Sequence, residues 1–286
     1  MPKAIIIGKG PAGISASLYL KRGGVDALVI ANGDGSLAKA EKIENYYGFP
    51  EAISGEELLS NGVKQAKRLG VSFLDDEVVG ISYDGSFVVR TKSLEERADA
   101  LIMATGSARK APKVKNLTEL EGRGVSYCAV CDAFFYRQKD VAVLGSGEYA
   151  LNEAREISHV ASSVVILTNG KEPETDFGDF RVITTPIKEL MGAERLEGAE
   201  LENGERLSFV GLFVAVGTAS SADLARKLGA FTENGKITVN EKMETNIPGL
   251  YAAGDCTLGM LQIAKAVYEG AEAGTNALKF IRRKSN

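Results

Sequence analysis

Short apolar runs that end in glycine recur along the chain. Ala4–Ile7 reads AIII before Gly8, and residues 141–144 read VAVL before Gly145. The same pattern returns at 101–104 before Thr105-Gly106, at 212–216 before Gly217, and at 250–253 before Gly254-Asp255. Runs this short, bounded by glycine and without polar alternation, predict strands buried on both faces. Two of them lead at once into helical patterns, over 14–22 and 149–158, and then into further apolar strands at 27–30 and 164–167. Each is a βαβ unit of a parallel sheet. A last helix is predicted over 263–281, where Ile263, Val267, Ala271, Leu278 and Ile281 fall on one face. Glycine at a strand's carboxyl end suits close approach of backbone to a ligand, and open α/β sheets bind ligands at those ends.

The pattern predicts an α/β chain with two Rossmann-like, dinucleotide-type three-layer domains, the second inserted in the first. The polar stretches 110–115 and 241–246 serve as crossings. Residues 1–110 with 243–286 then form one domain and residues 111–242 the other. A length of 286 residues suits two domains.

Composition narrows the function. At 44% hydrophobic and 25% charged, the chain is expected to pack cores rather than stay disordered. A net charge of −4 argues against a nucleic-acid binder, which needs a basic stripe to meet phosphates. No apolar run approaches a membrane span, and the opening residues go straight into a strand, so a cytoplasmic protein is expected. Cys128, Cys131 and Cys256 are too few for a disulfide framework. With His159 the only histidine, a closed zinc site would need all four residues to converge, so no metal is expected. The same scarcity excludes a histidine-based triad. Cys256 reads as a small core residue and His159 as a residue flanking a helix end.

Two constellations carry chemistry. Gly8-Lys9-Gly10-Pro11-Ala12-Gly13 follows a strand and opens a helix. Its glycines permit a tight turn, approach to a pyrophosphate, and close helix–strand packing. The helix start adds free N–H groups for phosphate. The acid that normally ends the second strand to hold a ribose is absent or displaced, since this strand runs into Ala31-Asn32 with Asp34 later. The second constellation is Cys128-Ala-Val-Cys131 followed by Asp132. Cysteines at this spacing form a small disulfide loop in which one thiol's pKa is commonly lowered, and the thiolate attacks in exchange. Asp132, if burial keeps it protonated, is placed to give or take the proton that exchange moves. Half a zinc site and two core cysteines are the alternatives.

Together these residues resemble the low-molecular-weight thioredoxin reductases. The likeness spans nearly the whole chain: GKGPAG at 8–13, IENYYGFP at 43–50, ATG at 104–106, GRGVSYCAVCDAFFY at 122–136, GSGEYA at 145–150, LFVAVGT at 212–218 and IPGLYAAGD at 247–255. The resemblance implies FAD in the split domain. It implies that Gly8, Gly10, Pro11, Ala12 and Gly13 hold the pyrophosphate region and that Asn45 lies near the isoalloxazine. Thr105 and Gly106 would approach the cofactor, Asp255 would bond the ribityl chain, and Gln262 and Ile263 would meet the flavin ring. It further implies that Cys131 takes electrons from the flavin, that Cys128 attacks thioredoxin, and that Asp132 is the acid. A homodimer and a rotating inserted domain belong to the same expectation.

The likeness fails at the second nucleotide site. NADPH-linked members carry H-R-R-x-x-x-R after the strand that follows the second glycine loop, where forked cations suit the 2′-phosphate. Here Thr168-Asn169-Gly170 and Glu174 stand at those places. Tyr149 is expected where phosphate would sit, the segment 171–186 is short, and Leu261 replaces an arginine. NADH would need an acid at the strand end, and Thr168-Asn169 offers none. The losses resemble those of ferredoxin-dependent flavin thioredoxin reductases, which implies reduced ferredoxin as donor. An NADPH- or NADH-dependent enzyme with an atypical pocket, and a non-enzymatic flavin/dithiol redox sensor, are the alternatives.

Overall fold

The computed structural model describes residues 4–106, 112–127, 129–217 and 220–285, without the side chains of Val130, Cys131 and Ser285. Cys128 lies outside the described residues, and Cys131 is described as a helical position only. The elements begin with β1 (Ala4–Ile7), α1 (Pro11–Arg22), β2 (Ala27–Ala31), α2 (Gly55–Arg68), β3 (Ser72–Asp75), β4 (Val78–Tyr83), β5 (Phe87–Thr91), β6 (Glu95–Ala98) and β7 (Ala100–Met103). They continue with β8 (Val125–Ser126), α3 (Ala129–Asp132), β9 (Asp140–Leu144), α4 (Glu148–Ser158), β10 (Ser163–Leu167), β11 (Arg181–Ile183), β12 (Ile187–Met191), β13 (Gly198–Leu201), β14 (Arg206–Ser208) and β15 (Gly211–Val214). The last are α5 (Ser221–Lys227), β16 (Thr232–Glu233), β17 (Lys236–Ile237), β18 (Leu250–Ala252) and α6 (Ile263–Ser285).

Two compact units result: Met1–Arg109 with Ser220–Asn286, and Lys110–Ala219. In the first, a parallel sheet runs β18-β7-β1-β2-β3. Ala4, Ile6, Ala27, Val29, Ala100 and Ile102 share one core with residues of α1 and α6. Ile5, Ile30, Leu101 and Met103 alternate to the other face and are fully buried too, with β6 packed beside β1. Coverage of both faces is why these strands read as unbroken apolar runs.

Helices α1 and α6 pack at close range. A Cβ on Gly270 would stand 2.2 Å from the Ala12 carbonyl, and one on Gly274 would stand 2.5 Å from that of Ala16. The deeply buried stripe of α6 is therefore small: Ala266, Gly270, Ala273, Gly274 and Ala277. Of the apolar face predicted for this helix, Ile281 is buried, while Ile263, Val267, Ala271 and Leu278 are half-buried. The period was legible, but its phase was set by the larger residues, and contact at this range admits only small ones.

The second crossing also differs from expectation. Residues 220–242, assigned from sequence to the inserted domain, belong to the first unit. The Ile237 N–H donates to the Cys256 carbonyl at 2.8 Å, and α5 lies against β4 and β17. In the second unit a parallel sheet runs β11-β10-β9-β15-β8, beside the antiparallel β12-β13-β14.

Candidate active site

The predicted cofactor residues gather at one end of the first sheet. Gly8 to Gly13 leave β1, Thr105 and Gly106 leave its neighbour β7, and Asp255 follows β18 on β7's far side. Gly8 has φ +113°, and a Cβ there would stand 2.3 Å from the Ala104 carbonyl. A Cβ on Gly13 would stand 1.9 Å from the Gly8 carbonyl. Pro11 opens α1, where its missing N–H costs nothing. Gly10 is different. Its φ is −71°, and a Cβ there would meet no protein atom within 4 Å. Among the described residues nothing demands glycine at position 10, and the open space beside its backbone leaves room for a ligand to approach. The cradle therefore fits a dinucleotide.

The Asn45 amide donates to Gln262 Oε1 at 3.0 Å, joining two predicted flavin-side residues 217 positions apart, and Ile263 begins α6. Lys9 binds Asp34 at 2.9 Å and Asp75 at 3.2 Å, which ties down the displaced acid noted in the sequence. An acid does stand beside the end of β2. It is the buried Glu77, held by Asn32 at 3.3 Å and Lys92 at 2.8 Å.

Sequence reasoning missed Ser221. Its hydroxyl lies 2.6 Å from Thr105 Oγ1, and its N–H donates to that oxygen at 3.2 Å. The available signal was the Ser220-x-x-Asp223 pattern, which here forms a capping box at the start of α5.

Cys256 is a core residue, as read. The residue is 2% exposed, and its thiol donates toward the carbonyls of Met103 and Ala253. Burial pushes it up to about 11. At pH 8 only about one molecule in a thousand carries that thiolate. Brief alkylation of the reduced native protein at pH 8 should therefore label the Cys128–Cys131 segment and leave Cys256 unmodified in a peptide mass map. His159 stands at the C-terminal end of α4, also as read.

The dithiol segment starts a short helix in the second unit. The Ala129 N–H donates at 3.0 Å to Glu153 Oε2, a carboxylate on α4 that is 2% exposed. The first residue of α3 is thus anchored from the core. Asp132 accepts from Ser126 Oγ at 2.6 Å. Burial, and then the Asp132 charge, push the Tyr136 hydroxyl above its ordinary pKa. Tyr136 stacks edge-on against Phe213 at 5.2 Å. Phe134 and Phe135 stand exposed just beyond the helix.

The second glycine loop repeats the backbone of the first but not its open seat. A Cβ on Gly145 would stand 2.2 Å from the Ala215 carbonyl, as at Gly8. The middle glycine, Gly147, instead faces Glu174 Oε2, 3.3 Å from where a Cβ would be. Ser146 Oγ donates to Glu174 Oε1 at 2.9 Å, and the Glu174 N–H donates to the Ser146 carbonyl at 2.7 Å. A side-chain carboxylate thus lies by the start of α4, where a phosphate would be received. The expectation that Tyr149 fills this place is corrected. Tyr149 is 2% exposed and turned into the core.

A family model described as pyridine nucleotide-disulphide oxidoreductase matches residues 2–270. The thioredoxin reductase of Aquifex aeolicus is 36% identical over 98% of this chain and 93% of its own. The crystal structure of the atypical thioredoxin reductase TRi from Desulfovibrio vulgaris Hildenborough is 40% identical, covers 99% of both chains and superposes with a TM-score of 0.94. A ferredoxin-flavin thioredoxin reductase from Clostridium acetobutylicum is 32% identical over 100% of this chain and 99% of its own, with a TM-score of 0.71. Cradle, dithiol segment and relatives together define a flavin-dependent disulfide oxidoreductase with FAD as its cofactor. Within that class, the chain belongs to the low-molecular-weight thioredoxin reductase family.

Proposed function

We propose that this thioredoxin reductase draws its electrons from reduced ferredoxin and not from a pyridine nucleotide. The observation that carries the reading is Glu174, whose carboxylate sits on Ser146 beside Gly147. A phosphate entering there meets an anion in place of the cations that NADPH-linked relatives carry. The likeness to the ferredoxin-flavin enzyme of Clostridium acetobutylicum supports the same reading. Gly8, Gly10, Pro11, Ala12 and Gly13 would hold the pyrophosphate region of FAD. Thr105, Gly106 and Asp255 would line the cofactor's course, with Asn45, Gln262 and Ile263 toward the ring. Bound FAD supplies the ability to take electrons singly and release them in pairs.

The dithiol does the rest. The Cys128 thiolate attacks a sulfur of the thioredoxin disulfide, and the leaving thiolate is protonated by solvent, with the half-buried Asp132 at the family's acid position placed to relay the proton. Cys131 then attacks Cys128, which frees the second thioredoxin thiol and leaves a Cys128–Cys131 disulfide to be reduced again. Thioredoxin lies at about −270 mV and low-potential ferredoxins near about −400 mV, so the flow is downhill. The same family reading makes the working form a cytoplasmic homodimer.

Anaerobic titration of the yellow protein is the test. Reduced ferredoxin should bleach the flavin and then yield thioredoxin thiols, while NADPH or NADH at equal concentration leaves the absorbance unchanged. Bleaching at near-stoichiometric NADPH or NADH would sink the ferredoxin reading.

A further inference from the structure

Two side chains of α6 grip the turn that carries Asp255. Lys265 Nζ donates to the Gly254 carbonyl at 2.9 Å and to Thr257 Oγ1 at 2.9 Å. Glu269 Oε2 accepts from the Gly254 N–H at 2.8 Å and lies 2.8 Å from Thr257 Oγ1. Lys265 and Glu269 themselves pair at 3.2 Å, four residues apart on the helix, each side chain 9% exposed. Both polar groups of Gly254 therefore end on one buried ion pair, with Thr257 bridging it. Gly254 has φ +82°, and a Cβ there would stand 2.9 Å from Ala12 Cβ. The turn rests on the first turn of α1, beside the glycine cradle.

Burying an ion pair is a poor route to stability, because desolvation offsets most of the attraction and apolar residues of like size do as well. Orientation is what such a pair supplies. Fixed donors and acceptors lock the peptide before Asp255, and binding groups locked in advance lose less freedom when a ligand arrives. We propose that Lys265 and Glu269 are positioning residues for FAD: they hold the 254–257 turn so that the Asp255 carboxylate stands ready for the ribityl hydroxyls. The proposal rests on the assignment of Asp255 to the ribityl chain.

The rate at which FAD leaves the holoenzyme tests it, followed as free-flavin fluorescence well below the unfolding temperature. Lys265→Met should speed release by about tenfold or more, the equivalent of one or two lost hydrogen bonds. Glu269→Gln should do the same. The double variant should release FAD no faster than the worse single one, because the two residues act as one clamp. Thr257→Val keeps the shape and the ion pair but cuts the bridge, and should speed release by about threefold. If Lys265→Met does not fold, the threonine variant decides. Release at the parental rate from the variants that fold, whatever their melting temperatures, overturns the clamp. Asp255→Asn separates the two ideas. If it alone releases FAD fast, the clamp fails and the ribityl assignment stands. If it holds FAD normally while the clamp variants do not, the ribityl assignment fails.

Discussion

A Cys131→Ser protein, reduced and mixed with oxidised thioredoxin, should accumulate a covalent complex that survives a non-reducing gel. A Cys128→Ser protein should form none. Both should lose thioredoxin reduction by about a thousandfold or more, since a serine hydroxyl is not an exchange nucleophile at neutral pH. The asymmetry follows from the two roles proposed for the cysteines. Cys128 makes the first bond to the partner, and Cys131 breaks it. Remove the resolving thiol and the forward exit is closed, so the mixed disulfide breaks only by return of thioredoxin's own freed thiol, which an excess of the reduced variant opposes. Both variants should remain yellow, because the cofactor cradle lies in the other compact unit. A stable complex from Cys128→Ser in place of Cys131→Ser would reverse the assignment.

The sequence disclosed those features that are local along the chain. A glycine forced by a nearby carbonyl, such as Gly8 against Ala104, sits in a run that already reads as strand, turn and helix. The C-x-x-C needs only four consecutive residues to be seen. What stayed hidden depends on packing between distant segments. Thr105 meets Ser221 across 116 positions, and no periodicity in either segment announces it. The Lys265–Glu269 pair looks like an ordinary surface i, i+4 pair until the Gly254 turn covers it. The inserted domain's return crossing comes earlier than the polar stretch 241–246 suggests, because α5 and β17 pack in the first unit. The second loop shows both sides of this limit. Loss of the cations was legible, residue by residue. That Glu174 reaches back to Ser146 while Tyr149 turns inward was not.

That loop also sets the affinity expected for NADPH. Exposed guanidinium–phosphate contacts contribute about 1–1.5 kcal/mol each, so losing the cations of the family motif costs about 3–4.5 kcal/mol, a factor of about 10²–10³ in binding. A micromolar site becomes one of about 0.1–1 mM. Glu174→Arg should recover only about tenfold of this, measured by calorimetric titration, and should still leave the flavin unbleached by micromolar NADPH. The backbone explains the shortfall. Asn169 and Gly170 both hold left-handed conformations, at φ +53° and φ +82°. Asn169 Oδ1 accepts the Ile187 N–H at 2.7 Å, and a Cβ on Gly170 would come within 3.1 Å of Pro186 Cγ. Arginine at either place gives up the asparagine's hydrogen bond or strains the turn, so the missing cations are not restored by side-chain exchange alone. Full flavin reduction of the Glu174→Arg protein by micromolar NADPH would show that one carboxylate, and not the rebuilt turn, excludes the nucleotide.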